Sequence, residues 1–227
     1  MDIILIGGLW LNPAVWDAVT PELTALGHRP VPVALPGQGD GNAAATLDDQ
    51  HAAVLAAVDA ADGTPLVVGH SAACTLAWMA ADARPDKVGR VALIGGFPNA
   101  DGEKYADFFE ATDGVMPFPG WEPFDGPDSA DLDEAAREKL AGAAIPVPAG
   151  VSKGIVHLSD DRRYRIPVVM ICPEFTPDQA REWVASGDLP ELAKAEKIEY
   201  IDIDSGHWPM VSVPAELARV IDAATTI

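Results

Sequence analysis

Ser71 lies in the stretch Gly69-His70-Ser71-Ala72-Ala73, straight after an apolar run over residues 65–68. A serine hydroxyl attacks a carbonyl carbon once a neighbouring base has taken its proton. Strand, then Gly-x-Ser-x-small, then helix is the setting in which a sharp turn puts such a hydroxyl on display. The turn closes only if the residues two before and two after the serine are small, as Gly69 and Ala73 are. A helix starting here directs its positive N-terminal end toward negative charge developing at the serine.

A base is needed, and imidazole titrates in the right range. Of the five histidines, His28 follows the helix-ending Gly27, and His51 falls inside a helical stretch. His70 adjoins Ser71 but is turned elsewhere by the tight bend, and His157 lies in or beside an interrupted segment. His207, in Ser205-Gly206-His207-Trp208-Pro209-Met210, follows a late strand on a loop of its own and is the expected base. Attack on an ester carbonyl creates an oxyanion, which two backbone N–H groups can hold. Gly7-Gly8-Leu9-Trp10, after the first apolar run, allows the backbone to approach a substrate closely, so the amides of Leu9 and Ala72 are the expected donors.

These loops need a frame. Short β-rich runs over residues 3–6, 31–35, 65–68, 88–94, 166–172 and 198–203 alternate with helical patterns. The helices include one carrying Val15, Trp16, Val19, Leu23 and Leu26, one opened by a capping box of Thr46 and Asp49, one from Ser71 to about Ala83, and one from about Pro214. This alternation predicts an α/β protein with a mostly parallel, doubly wound sheet of about six strands. Runs such as Pro65-Leu66-Val67-Val68 are apolar at every position, as strands buried on both faces are. Residues 97–160 break the rhythm with prolines, acids and aromatics and one helical patch near 133–144. An interruption of that length is too long for an ordinary connection. It predicts a small cap inserted into a core made of residues 1–96 and 161–227.

With 227 residues, of which 48% are hydrophobic, the chain can bury one sizeable core. Its formal charge of −20 argues against nucleic acid and against an anionic membrane surface. Residues 101–134 hold eleven acids and a single lysine, Lys104, which suits a solvated surface. No apolar run is long enough to span a bilayer and the N-terminal residues carry no leader signature. Cys74 and Cys172 both sit among apolar residues, as buried thiols in a reducing cytoplasm do. Nothing in the sequence bears on oligomeric state.

The motifs together resemble those of the α/β-hydrolases, in particular the compact single-cap branch of plant-type methyl esterases and hydroxynitrile lyases. The resemblance spans nearly the whole chain and rests on Gly7-Gly8-Leu9-Trp10, Leu35-Pro36-Gly37-Gln38-Gly39-Asp40, Gly69-His70-Ser71-Ala72-Ala73 and Ser205-Gly206-His207-Trp208-Pro209-Met210. It implies an α/β-hydrolase fold that opens on the strand before the oxyanion loop, without the family's first two strands. Ala73 replaces a usual glycine and Gly7 a usual histidine. The acid that orients the base departs further. The family's Gly-x-x-Asp would put it at position 176, which is Thr176, followed by Pro177. Glu174 is the expected substitute, with Asp101 and then Asp178 as alternatives.

The expected activity is that of a carboxylesterase-like serine hydrolase. Ser71, His207 and Glu174 would cleave an ester-type bond of a small, apolar or aromatic substrate through an acyl-enzyme, with no metal or organic cofactor. Trp10 and Trp208 are the expected pocket aromatics. A lyase on the same scaffold and a non-catalytic small-molecule binder are the alternatives.

Overall fold

The structure is a computed structural model and describes residues 1–226. Among these residues the strands are β1 (Asp2–Ile6), β2 (Arg29–Pro32), β3 (Leu66–His70), β4 (Arg90–Ile94), β5 (Val115–Met116), β6 (Val147–Pro148), β7 (Val168–Cys172) and β8 (Ile198–Asp202). The helices are α1 (Thr20–Ala25), α2 (Leu47–Asp59), α3 (Ala73–Ala83), α4 (Glu134–Ala143), α5 (Ala149–Ser152), α6 (Pro177–Ser186), α7 (Pro209–Ser212) and α8 (Pro214–Ala224). Six strands form one parallel sheet in the order β2-β1-β3-β4-β7-β8. No helix among the described residues is long and apolar enough to cross a membrane.

The sheet separates two cores because its strands are apolar on both faces. Ile4, Ile6, Val67, Val91, Leu93, Val168 and Met170 pack to one side with Val54 and Val58 of α2 and Leu76 of α3. Ile3, Leu5, Leu66, Val68, Ala92, Val169 and Ile171 pack to the other with Leu23 of α1 and Leu217 and Ile221 of α8. The order of the strands reverses between β1 and β3, a switch point of the kind at which ligands bind in such sheets, beyond the carboxyl ends of the strands. The loops at residues 7–10 and 71–72 flank it.

Two elements differ from the sequence reading. The helix expected through Val15 and Leu26 is a 3₁₀ turn over Pro13–Trp16 followed by α1, because Pro21 sits in the first turn of α1 and cannot continue a helix that began earlier. The second strand is Arg29–Pro32, at the sheet's edge, where Pro30 and Pro32 cost no ladder bond to an outer neighbour. Residues 97–160 add no strand to the main sheet. They hold α4, α5 and the antiparallel β5–β6 ribbon.

A buried ionic network ties the return from this segment to the core. Arg163 donates from Nε to Glu191 Oε2 and from Nη1 to Asp82 Oδ1 at 3.0 Å each. Trp78 Nε1 donates to the same Glu191 oxygen at 3.0 Å, and Asp82 also accepts from the Ser159 and Asp160 amides. All three charged side chains are at least 92% buried. Arg163→Met would leave the buried Asp82 carboxylate without its cation and Glu191 with Lys194 alone, 3.7 Å away, so urea denaturation should show a loss of roughly 3–5 kcal/mol. A variant as stable as the parent would show that the network contributes no net stability.

Candidate active site

Ser71 occupies the bend between β3 and α3 with φ +56°, a left-handed conformation that a side chain rarely adopts. The surroundings enforce it. The Ser71 amide donates to Ile94 O at 2.8 Å, binding the bend to the end of β4. A Cβ on Gly69 would run into the backbone of Ala73, and one on Gly96 would lie 2.5 Å from Ser71 O. A Cβ on Gly8 would stand 3.0 Å from Ser71 Cβ.

His207 and Glu174 meet from the loops after β8 and β7. His207 Nδ1 lies 2.7 Å from Glu174 Oε1, with the two side chains only 12% and 14% exposed. The carboxylate accepts the Nδ1 proton, which leaves Nε2 as the ring's free acceptor. Both groups border Gly95, where a Cβ would stand 3.2 Å from His207 Nδ1 and 3.1 Å from Glu174 Oε2. Ser71 and His207 thus flank the adjacent glycines 95 and 96, although no hydrogen bond joins the Ser71 hydroxyl to the imidazole among the described residues. The other acids lie elsewhere. Asp101 accepts from the Leu158 amide at 2.9 Å, and Asp178 pairs with Arg181 at 2.7 Å on the surface of α6.

His70 supports the His207 loop. Burial, and next the charge of His207, push its pKa down to about 3, so its ring is neutral. Its Nε2 donates to His207 O at 2.7 Å, and the two rings lie 4.9 Å apart. The far side of the loop is held by residues 124–131. His207 N donates to Asp128 O at 2.7 Å, Gly206 N to Asp131 Oδ2 at 2.8 Å, and the Phe124 ring stacks 6.5 Å from the imidazole.

The Leu9 and Ala72 amides donate to no protein acceptor among the described residues. Gly8 O accepts from Gln38 Nε2 at 3.3 Å and from Leu11 N at 3.4 Å. The site therefore combines a displayed hydroxyl, an imidazole on a carboxylate, and two amides with nothing to bond.

The model of the alpha/beta hydrolase family matches residues 3–220. This chain belongs to the alpha/beta hydrolase family. The α/β-hydrolase is 27% identical over 261 aligned positions to lipase LipV of Mycobacterium tuberculosis, covering 96% of this chain and 91% of LipV. Its fold matches that of an extracellular α/β-hydrolase from a Paenibacillus species with a TM-score of 0.81 at 20% identity, over 99% of this chain and 98% of that one. A plant-type relative, a methylesterase from Arabidopsis, matches with a TM-score of 0.76 at 17% identity, over 100% and 99% of the two chains.

The cavity of the α/β-hydrolase that reaches Ser71 has a volume of about 380 Å³. Phe97, Asn99, Glu103, Phe108, Asp188 and Leu189 line it along with the glycines after β4. Trp10 and Trp208, expected as pocket aromatics, do not border this cavity, but Trp10 borders a separate one of about 330 Å³ with Leu11, Leu140 and Met210. Both are drawn into an aromatic cluster: Trp10 against Phe109, Phe118 and Phe124, and Trp208 against Trp121 and Phe124. A buried cluster takes up more of each ring's apolar area than an open pocket wall does. The sequence reading passed over Gln38, treated only as part of a turn, and the Gly95-Gly96 pair that closes the fourth strand.

Gly96→Ala would push a methyl group against Ser71 O and displace the bend. Phosphonylation of Ser71 by a fluorophosphonate should slow about 100-fold, with an unchanged far-UV circular dichroism spectrum. An unchanged labelling rate would mean that the bend has room for a methyl group.

Proposed function

We propose that this α/β-hydrolase is a serine esterase that cleaves small esters bearing an apolar or aromatic group through an acyl-enzyme. The observation that carries the reading is the 2.7 Å bond from His207 Nδ1 to Glu174, on an imidazole whose other nitrogen is free beside the Ser71 bend. In this mechanism His207 Nε2 takes the Ser71 proton as Oγ attacks the carbonyl carbon. The Leu9 and Ala72 amides donate to the oxyanion, and the protonated imidazole then gives its proton to the leaving alcohol. Water, deprotonated by the same nitrogen, attacks the acyl-enzyme and releases the acid. Glu174 holds the ring in the tautomer that keeps Nε2 unprotonated, and balances the imidazolium when it forms.

The lipase and methylesterase names of the relatives support ester hydrolysis. The cavity supports the substrate class: Phe97, Phe108 and Leu189 offer apolar surface. Glu103 and Asp188, with no lysine or arginine beside them in its lining, disfavour anionic substrates. Residues 97–160 are assigned as the cap. Buried and unpaired, Cys74 and Cys172 support a reducing, cytoplasmic setting.

Mixing the protein with a p-nitrophenyl ester should give a burst of nitrophenol and steady turnover. A fluorophosphonate should add one adduct mass on Ser71, and Ser71→Ala should lose both. Glu174→Gln should lower kcat by roughly 10³–10⁴-fold, while Asp101→Asn and Asp178→Asn stay near the parent. An adduct without turnover would point to the lyase chemistry instead, and no adduct to a binding protein.

A further inference from the structure

The Gly8-Leu9-Trp10-Leu11 loop closes as a four-residue turn, with Leu11 N donating to Gly8 O at 3.4 Å. Its third residue, Trp10, has φ +63°, whereas that of Leu9 is negative. This is the backbone pattern of a type II turn, whose third position ordinarily belongs to glycine or asparagine. A bulky residue held there is a strained outlier and needs surroundings that over-determine it.

The surroundings come from residues 97–160, which grip Trp10 at both ends. Its indole Nε1 donates to Met116 O in β5 at 3.2 Å, in a buried bond. Its backbone oxygen accepts from Ile145 N at 2.9 Å, two residues before β6. The rings of Phe118, Phe109 and Phe124 pack on it at 5.4, 5.7 and 6.1 Å. On the core side, Gln38, only 7% exposed, donates to Gly8 O. The Gly8–Leu9 peptide is planar, so its C=O and N–H point in opposite directions. Anchoring the Gly8 oxygen from behind therefore aims the Leu9 N–H the other way, and this amide has no protein acceptor.

We infer that Trp10 and Gln38 are positioning residues for the oxyanion donor: the cap holds Trp10 in the left-handed turn while Gln38 fixes the Gly8–Leu9 peptide plane. Neither residue lines the cavity at Ser71, and the side-chain bonds of both go to backbone oxygens of the protein, Met116 O and Gly8 O. The inference rests on the esterase reading and deepens it. It makes the cap part of what assembles the oxyanion site.

The test compares Trp10→Gly, which suits the turn and keeps the backbone bond from Ile145 but lacks the indole, its bond to Met116 O and its packing on the phenylalanines, with Gln38→Met, which keeps volume but lacks the donor. Kinetics on a p-nitrophenyl ester are set beside Ki for an aryl trifluoromethyl ketone, whose hemiketal with a serine carries an oxyanion. Each variant should lose about 10–100-fold in kcat and gain a similar factor in Ki, with KM within about threefold of the parent. If Trp10→Gly does not fold, Gln38→Met carries the test alone. Parent-like kcat and Ki beside a lowered melting temperature would overturn the inference and leave a purely structural role. A raised KM at parental kcat would overturn it in favour of substrate contact. A parent protein that neither turns over the ester nor binds the ketone would remove the esterase reading, and this inference with it.

Discussion

Three strand-end loops meet at Ser71 with no room for a methyl group between them. Gly69 lies under the backbone of Ala73, Gly96 against Ser71 O, and Gly8 against Ser71 Cβ and His70 O. Each contact meets a backbone atom or a Cβ, neither of which moves in a rotamer change. Together they hold Ser71 in a left-handed bend that by itself costs roughly 1–3 kcal/mol. The bend persists because β1, β3 and β4 are anchored elsewhere: every residue of β1 and β3 is buried, and the strands pair in register along their length. The sheet supplies the rigidity, and the glycines let that rigidity converge on one hydroxyl.

The loop carrying His207 is short of such support from the sheet, since β8 is an edge strand with partly exposed residues. Its support comes from the opposite direction. Asp128 and Asp131 accept its amides, and Gly206 is small because a Cβ there would meet both of them. Burial raises the pKa of the Asp128 carboxyl, opposed by the His207 charge and reinforced by Glu174. A second full negative charge, beside that of Glu174, is thereby made less favourable. Residues 97–160 hold the His207 loop and the Trp10 turn at once, so segments far apart in sequence are registered to one another through them.

How much of this is readable in the sequence depends on whether a residue's neighbours are local. Ser71 is legible because its requirements, Gly69 and Ala73, lie within two positions. The central strands are legible because strands buried on both faces have no polar alternation to blur them. The break at Pro21 was legible in principle, but Val15, Val19 and Leu23 keep helical spacing across it, and periodicity outvoted the proline. The partners of Trp10 and Trp208 were not legible. The rings they pack on, Phe118, Phe124 and Trp121, lie more than a hundred positions from Trp10 and more than eighty from Trp208. Gln38 is hidden for the same reason, because its partner Gly8 O is thirty positions away.

The choice of a glutamate at position 174 follows from what position 176 has to do. Thr176 begins α6: its hydroxyl accepts from Gln179 N, Gln179 Oε1 accepts from Thr176 N at 2.8 Å, and Pro177 fills the first helical position. A residue bonded into that reciprocal cap cannot also turn its side chain toward His207. The carboxylate must therefore come from nearer the end of β7. There the chain is still leaving the sheet, two residues past the end of β7. From that position Glu174, with one methylene more than aspartate, places Oε1 2.7 Å from His207 Nδ1. The reach leaves Glu174 Oε2 buried without a partner, so the second oxygen is held only by its position beside Gly95. An aspartate at 174 would have to draw the loop inward to make the same bond. The side chain's length and the helix cap are thus two consequences of one local choice, made where β7 gives way to α6.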